Sequence, residues 1–288
     1  MGSFENTDPC VELKTRIPEL PSIMRKHGWI ISAYLMDWWL GGGANDNPNT
    51  GRHDTTTVRM DWILSHGRAL AVYQSAKARK VWMSDLAKGV IIRKLIHTKG
   101  RLPKTVGEKL EIGNVGKGQR RDSGNVLPFH NDWHIQHQKF NENKLISPLD
   151  DMYGALGDFS FYYLVKGHVE RLPDQGGQPR YRVTLNEVGV YVKDSYDFND
   201  SDPNKKKRGD LFGWLATMPV TNVVASQPLG FWGCTSPYIG KLSMKQSHRY
   251  VNNYDFREWR KKHSKGYGGD FLVFSDIKVF DTNDSFEF

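Results

Sequence analysis

Two aspartates and a tyrosine, Asp194, Tyr196 and Asp197, end an apolar run in the segment VGVYVKDSYDFN, residues 188–199. Catalytic side chains need rigid placement, and a buried strand that delivers them into a loop provides it. Two carboxylates this close can share a divalent cation such as Mg²⁺, which polarises a phosphoryl oxygen or activates a water. Alternatively, one raises the pKa of the other and leaves it as a general base. Tyr196 would orient a water or a leaving oxygen. The same residue types also make an ordinary Asp-rich turn, in which both carboxylates accept from backbone amides.

Downstream, DSDPNKKKRGD places Lys205, Lys206, Lys207 and Arg208 within a dozen residues of the carboxylates. Such cations can hold a phosphate, although a charge run is also what a solvated loop contains. In FHNDWHIQH, the spacing of His130, His134 and His137 puts them on one helical face, and with Asp132 nearby they could ligate zinc or iron. Asn131 stands where HExxH requires Glu, so the zincin pattern is absent. Surface histidines are the alternative. GNVGKGQ lacks GxxxxGK[ST] and follows no apolar strand, which argues against a phosphate loop. Cys234, beside Trp232 in FWGC, reads as a buried structural thiol. Trp29, Trp38, Trp39 and Trp62 could face a lipid or a partner, but at helical spacing they read as core.

The elements that must position these residues change character along the chain. From Leu20 to Leu40, the spacing of Trp29, Ala33, Met36 and Leu40 predicts one amphipathic helix, stopped by Gly41, Gly42 and Gly43. NDNPNTGRHD is a loop by composition, TTTVRMDW leans towards strand, and helices are expected over 65–75 and 84–97. Residues 100–124 are polar, Gly-rich and basic, as a mobile surface loop would be. The second half then takes a period of two. Phe159, Phe161, Tyr163 and Val165 share one strand face, and PDQGGQP turns the chain into YRVTLNEVGVYV. There the apolar positions switch from odd (Tyr181, Val183, Leu185) to even (Val188, Val190, Val192), which requires a β-bulge near Asn186 or Glu187. LGFWG and DFLVFSDIKVF read as further strands around a short helix, FREWRKKH, capped by Asn252 or Asn253. The expected fold is α+β, with a mainly helical, basic region over 1–147 followed by an antiparallel, barrel-like, β-rich region over 148–288 that carries the activity.

A chain of 288 residues buries a sizeable core without staples, and its only cysteines, Cys10 and Cys234, exclude a disulfide framework. No basic and apolar leader opens the sequence, so export by the general secretory route is not expected. The longest apolar stretch, Trp29 to Leu40, has 12 residues and contains Ser32 and Asp37, against the roughly 20 a helix needs to cross a bilayer. The net charge of +8 arises mainly before Asp150. Those basic residues are scattered among acids, which fits a solvated surface better than a nucleic-acid interface.

IPELPSIMRKHGWIISAYLMDWW, DTTTVRMDW, DDMYGALGDFSF, VGVYVKDSYDF and GGDFLVFSDIKV together resemble an uncharacterised bacterial family often encoded beside type VI secretion genes. That resemblance implies an antibacterial effector or its accessory, held in the producer's cytoplasm and delivered by the secretion spike to a target cell's periplasm, with an immunity protein as a further partner. Over 156–208, the order LGDFSF, hairpin, second strand and DSYDF is similar to the activity domain of colicin M type bacteriocins. Those Mg²⁺-dependent hydrolases split lipid II, the lipid-linked peptidoglycan precursor, between its prenyl chain and pyrophosphate. The resemblance carries that family's Asp, Tyr and Asp onto Asp194, Tyr196 and Asp197, with the two aspartates binding Mg²⁺. That family follows the motif with a His and Arg pair, whereas this chain reads SDPNKKKRGD. Arg208 would supply the arginine, and His248 with Arg249, the only His followed by Arg, would have to enter by folding. The expectation is a toxin that hydrolyses a phosphoester or pyrophosphate in an envelope precursor; the alternatives are a non-enzymatic adaptor that docks an effector on the spike, and a nuclease toxin.

Overall fold

The computed structural model describes residues 17–26, 28–97, 102–115, 126–141, 150–198, 224–226, 231–235, 248–251, 253–263 and 266–288. The helices are α1 (Leu20–Lys26), α2 (Ile30–Leu40), α3 (Met60–Leu64), α4 (Gly67–Ala78), α5 (Asp85–His97), α6 (Leu127–Trp133), α7 (Asp151–Ala155) and α8 (Asn253–Lys262). The strands are β1 (His53–Asp54), β2 (Lys109–Gly113), β3 (His134–Phe140), β4 (Phe159–Gln175), β5 (Gln178–Tyr196), β6 (Val224–Ser226), β7 (Phe231–Thr235), β8 (His248–Val251), β9 (Phe271–Phe274) and β10 (Lys278–Glu287). The fold is α+β, with most helices in the first half and a curled antiparallel sheet that forms a half-barrel. Contacts group the residues into two units, each discontinuous in sequence: Met1–His53, Asn141–Asp158 and Ser195–Leu272 form the first, and Asp54–Phe140, Phe159–Asp194 and Val273–Phe288 the second.

In the first unit, the single helix expected over 20–40 is two. Gly28 lies at φ +76°, in the left-handed region that interrupts a right-handed helix, and the chain restarts as α2. The first N–H groups of α2 have no partner within the helix, and the Asp151 carboxylate accepts from two of them, Ile31 at 2.9 Å and Ser32 at 2.8 Å. Asp150 caps α7 itself, accepting from the Tyr153 N–H at 2.9 Å. Trp39 is fully buried, with Phe198 and Phe256 edge-on to it at 4.8 and 5.5 Å. Its indole N–H donates to Asp270 at 2.8 Å, and Asp270 pairs with Arg260 at 3.1 Å. A buried carboxylate would cost several kcal/mol unpaired, and these two partners offset that cost. A three-stranded sheet in the order β6-β7-β8 completes the unit among the described residues.

The second unit is built on the β4–β5 hairpin. Gly176 and Gly177, at φ +59° and +75°, make the two-residue turn, a conformation that glycine adopts without strain. The expected bulge is present: Lys166 opposes Glu187 and Gly167 opposes Leu185, so Asn186 is the extra residue. Inward positions on both sides of it therefore stay buried, from Phe161, Tyr163 and Val165 to Val183, Leu185, Val188, Val190 and Val192. Strand order runs β1-β9-β5-β4-β2, with β10 also pairing β5 and β3 also pairing β4. Tyr73 of α4 and Trp82 pack against this face, on Phe161 and Tyr163. Two sequence expectations change here. In TTTVRMDW the described helix α3 replaces a strand, because Asp54 accepts from the N–H groups of Thr56 and Thr57 and turns the chain before extension can continue. Within the expected loop at 100–124, KLEIG forms strand β2 and pairs with the Lys166–Glu170 stretch of β4.

Candidate acid–base site

β5 does not stop before the aspartates but runs through Tyr196, so Asp194 and Tyr196 are strand residues and Asp197 follows the strand end. Asp194 and Asp197 are half-buried. Tyr196 is buried, its ring stacked on Phe271 at 5.1 Å and edge-on to Phe198 at 5.7 Å, so it also serves the packing of the first unit. His248 and Arg249 lie on β8, opposite Thr235 and Cys234 of β7. Arg208 and the Lys205–Lys207 run lie outside the described residues. Among the described residues, no group of three or more His, Cys, Asp or Glu side chains is placed to hold a metal ion.

The histidines, by contrast, do come together, though not on a helix. α6 ends at Trp133 and the chain turns directly into β3, so His130 is helical while His134 and His137 are on a strand. Three residues apart, His134 and His137 would ordinarily point to opposite faces. A register shift between His134 and Gln136 corrects this: His134 opposes Leu164 and His137 opposes Tyr162, two positions of the same face of β4. The His130 and His134 rings stack at 5.2 Å and 15°, and His134 and His137 lie 6.2 Å apart.

These rings sit on a row of aromatics that crosses four strands on the side of the sheet opposite the apolar core. His137 of β3 stacks on Tyr162 of β4 at 5.5 Å, Tyr162 on Tyr191 of β5 at 5.6 Å, and Tyr191 on Phe274 of β9 at 6.4 Å. Each is a cross-strand or adjacent-strand pair, the packing unit of a sheet. Exposure falls along the row, from exposed His137 to half-buried Tyr162 to buried Tyr191 and Phe274. His130 meets Tyr162, Tyr191 and Phe274 edge-on, between 5.3 and 5.9 Å.

Both nitrogens of His130 are engaged. Nδ1 is hydrogen-bonded to the Tyr191 hydroxyl, and Nε2 lies 3.4 Å from Lys193 Nζ. With Lys193 an ammonium, Nε2 accepts from it and Nδ1–H donates to the Tyr191 oxygen, which fixes one tautomer. Lys193 Nζ also lies 5.9 Å from the centroids of Tyr162 and Phe274. Lys94 donates from Nζ to the Asp132 carbonyl at 2.7 Å. Burial, with Lys193, His134 and Lys94 adding positive charge, pushes His130 down to about 4. Burial, with His137, Lys94 and Lys193, does the same to His134, also to about 4. Burial lowers the Lys193 pKa and raises that of Tyr191, the latter helped by Tyr162. Burial and the Asp194 charge raise that of Tyr162.

The site thus holds two neutral imidazoles, a tyrosine that stays protonated and a partly desolvated lysine. That set can bind an anion and move a proton. Tyr162, Tyr191 and Lys193 are site residues that the sequence reading did not single out. The signal available was Tyr191 itself, an aromatic between Val190 and Val192 on the face that alternation assigns to solvent.

A model of a family of unknown function, DUF6402, matches residues 15–288. No curated protein and no solved structure matches the chain.

Proposed function

The chain belongs to DUF6402, a family of unknown function, and we propose that it is an antibacterial effector whose acid–base site hydrolyses a phosphoester or pyrophosphate. The observation that carries the chemistry is the Lys193–His130–Tyr191 row, in which a cation and a neutral, oriented imidazole share one hydrogen bond. Hydrolysis at phosphorus needs a cation on the phosphoryl oxygens and a base for the attacking water. When a substrate oxygen takes the Lys193 ammonium, the His130 Nε2 lone pair is released. It then accepts a proton from water as the water oxygen attacks phosphorus. The P–O bond to the leaving group breaks, its electron pair stays on the leaving oxygen, and that oxygen takes a proton from the imidazolium or from solvent. Tyr191 is a positioning residue that holds the ring.

The cellular setting rests on the resemblance to proteins encoded beside type VI secretion genes: delivery by a spike component into the target periplasm, an immunity protein in the producer, and lipid II as the envelope substrate. Mg²⁺ belongs to the same reading through Asp194 and Asp197, and its contribution is tested directly. Wild type, His130→Ala, Lys193→Met and Asp197→Ala are expressed in the cytoplasm and in the periplasm of a sensitive host, and circular dichroism of the purified proteins checks folding. Periplasmic toxicity that His130→Ala and Lys193→Met abolish supports the assignment, and purified enzyme assayed on lipid II with and without Mg²⁺ tests the substrate and the ion. Full toxicity from folded His130→Ala sinks the acid–base site. Toxicity confined to the cytoplasm, with loss of DNA or RNA, replaces the envelope substrate with a nuclease.

A further inference from the structure

We infer that an anion bound against Lys193 loads the His130–His134 pair with a proton, so that the general acid is created by substrate binding itself. This rests on the hydrolytic reading of the same site and names how that site is switched on. The charged and titratable groups around the pair are Lys94 of α5, Asp132 of α6, His137 of β3, Tyr162 of β4, and Tyr191, Lys193 and Asp194 of β5. Two cations, Lys193 and Lys94, act on both rings. His134 Nε2 is buried and has no hydrogen-bond partner among the described residues. An enclosed nitrogen of this kind is held neutral by burial and by the cations beside it, and it gains from protonation once an anion arrives. The two stacked rings are too close to carry two charges at once, so the pair takes up one proton, on His134, and gives it to the leaving oxygen as His130 takes one from the attacking water.

The free site is thus a base without an acid. Lys193 and an incoming phosphoryl group neutralise each other, one of the charges that holds the buried histidines neutral is removed, and the proton taken from solvent is available to the leaving oxygen. Linkage makes the effect reciprocal: an anion that raises proton affinity binds more tightly as pH falls.

The test uses sulfate, an anion that does not itself titrate between pH 5 and 8. Calorimetry of the full chain in buffers of different ionisation enthalpy counts the protons, and the ring resonances of His130 and His134 are followed by NMR. Expected are an uptake on the order of one proton per sulfate near pH 5.5, and an apparent affinity that falls by up to about tenfold per pH unit across the range in which that proton is taken up. His134→Gln is expected to bind sulfate with reduced uptake, and Lys193→Met to lose binding. Sulfate binding with no proton uptake, or no sulfate binding by wild type at millimolar concentration, overturns the inference. Neither result touches the toxicity assay, so a failure here is distinct from a failure of the hydrolase. If Lys193→Met does not fold, the wild type and His134→Gln still decide the question.

Discussion

Ser32 and Asp151, 119 positions apart in sequence, are joined by three hydrogen bonds: the Ser32 N–H and hydroxyl each donate to Asp151 Oδ1 at 2.8 Å, and the hydroxyl also donates to the Asp151 carbonyl at 2.7 Å. Ser32 is fully buried, so this is how a polar side chain is accommodated in the core of the first unit. The capping residue of α2 is supplied by another helix rather than by its own N-terminal neighbour, Trp29.

Asp151→Ala leaves the N–H groups of Ile31 and Ser32 short of an acceptor, while the Ser32 hydroxyl keeps the main-chain carbonyl at position 151. It is expected to destabilise the protein by about 2–3 kcal/mol, the sum of a lost cap and an unsatisfied buried donor. Urea denaturation measures it. Asp151→Asn, which keeps an acceptor oxygen, should lose less.

Stability should depend on pH in a window set by the histidine pair. Both rings titrate near 4 in the folded protein against 6.5 ordinarily. Between those values the unfolded chain binds more protons than the folded one, so unfolding becomes easier as pH falls. The contribution is fully present above about 6.5 and is lost on the way down to 4. The melting temperature of wild type should therefore drop across that range, and that of a His130→Gln, His134→Gln double variant should drop less. Parallel curves would mean that the pair is not held neutral.

Tyr191→Phe keeps the aromatic row and removes only the hydroxyl that orients His130. Loss of one hydrogen bond of about 1–1.5 kcal/mol corresponds to a rate on the order of tenfold lower. The fall should appear in kcat with KM little changed, because Lys193 still holds the anion. A loss confined to KM would assign Tyr191 to binding instead.

Gly113 and Gly177 both sit at positive φ, +78° and +75°, yet they differ in space. A Cβ on Gly113 would lie 1.9 Å from the Val165 carbonyl oxygen, whereas one on Gly177 meets nothing within 4 Å. Gly177→Ala should cost only the left-handed backbone penalty of about 1–2 kcal/mol. Gly113→Ala should cost clearly more, because β2 must move off β4. Thermal melts of the two variants side by side provide the comparison.

The sequence carried the hairpin well because its signals are local. Phe159, Phe161, Tyr163 and Val165 alternate, the parity switch between Leu185 and Val188 demanded a bulge, and two glycines marked the turn. Where the expectations failed, a distant partner decided. KLEIG is too short and polar to be read as a strand until β4 lies beside it. Met60 starts a helix rather than continuing a strand, and its N–H donates to Asp276 at 2.6 Å, 216 positions away. For the site, the three histidines were visible but their element was not, since helical spacing over 130–137 looks the same whether or not the chain turns into a strand at His134. Tyr191 and Lys193 are more than 60 positions from His130, and no local pattern links them.

The discontinuity of the two units bears on how the chain is made. The long β5 strand leaves the ribosome with one edge bare, since β10, which covers it from Arg182 to Val190, is synthesised almost a hundred residues later. Neither unit can close as an early, self-sufficient intermediate, and such long-range pairing folds slowly. Until that last strand of the sheet has been added, the edge of β5 stays open to any other strand that can pair with it.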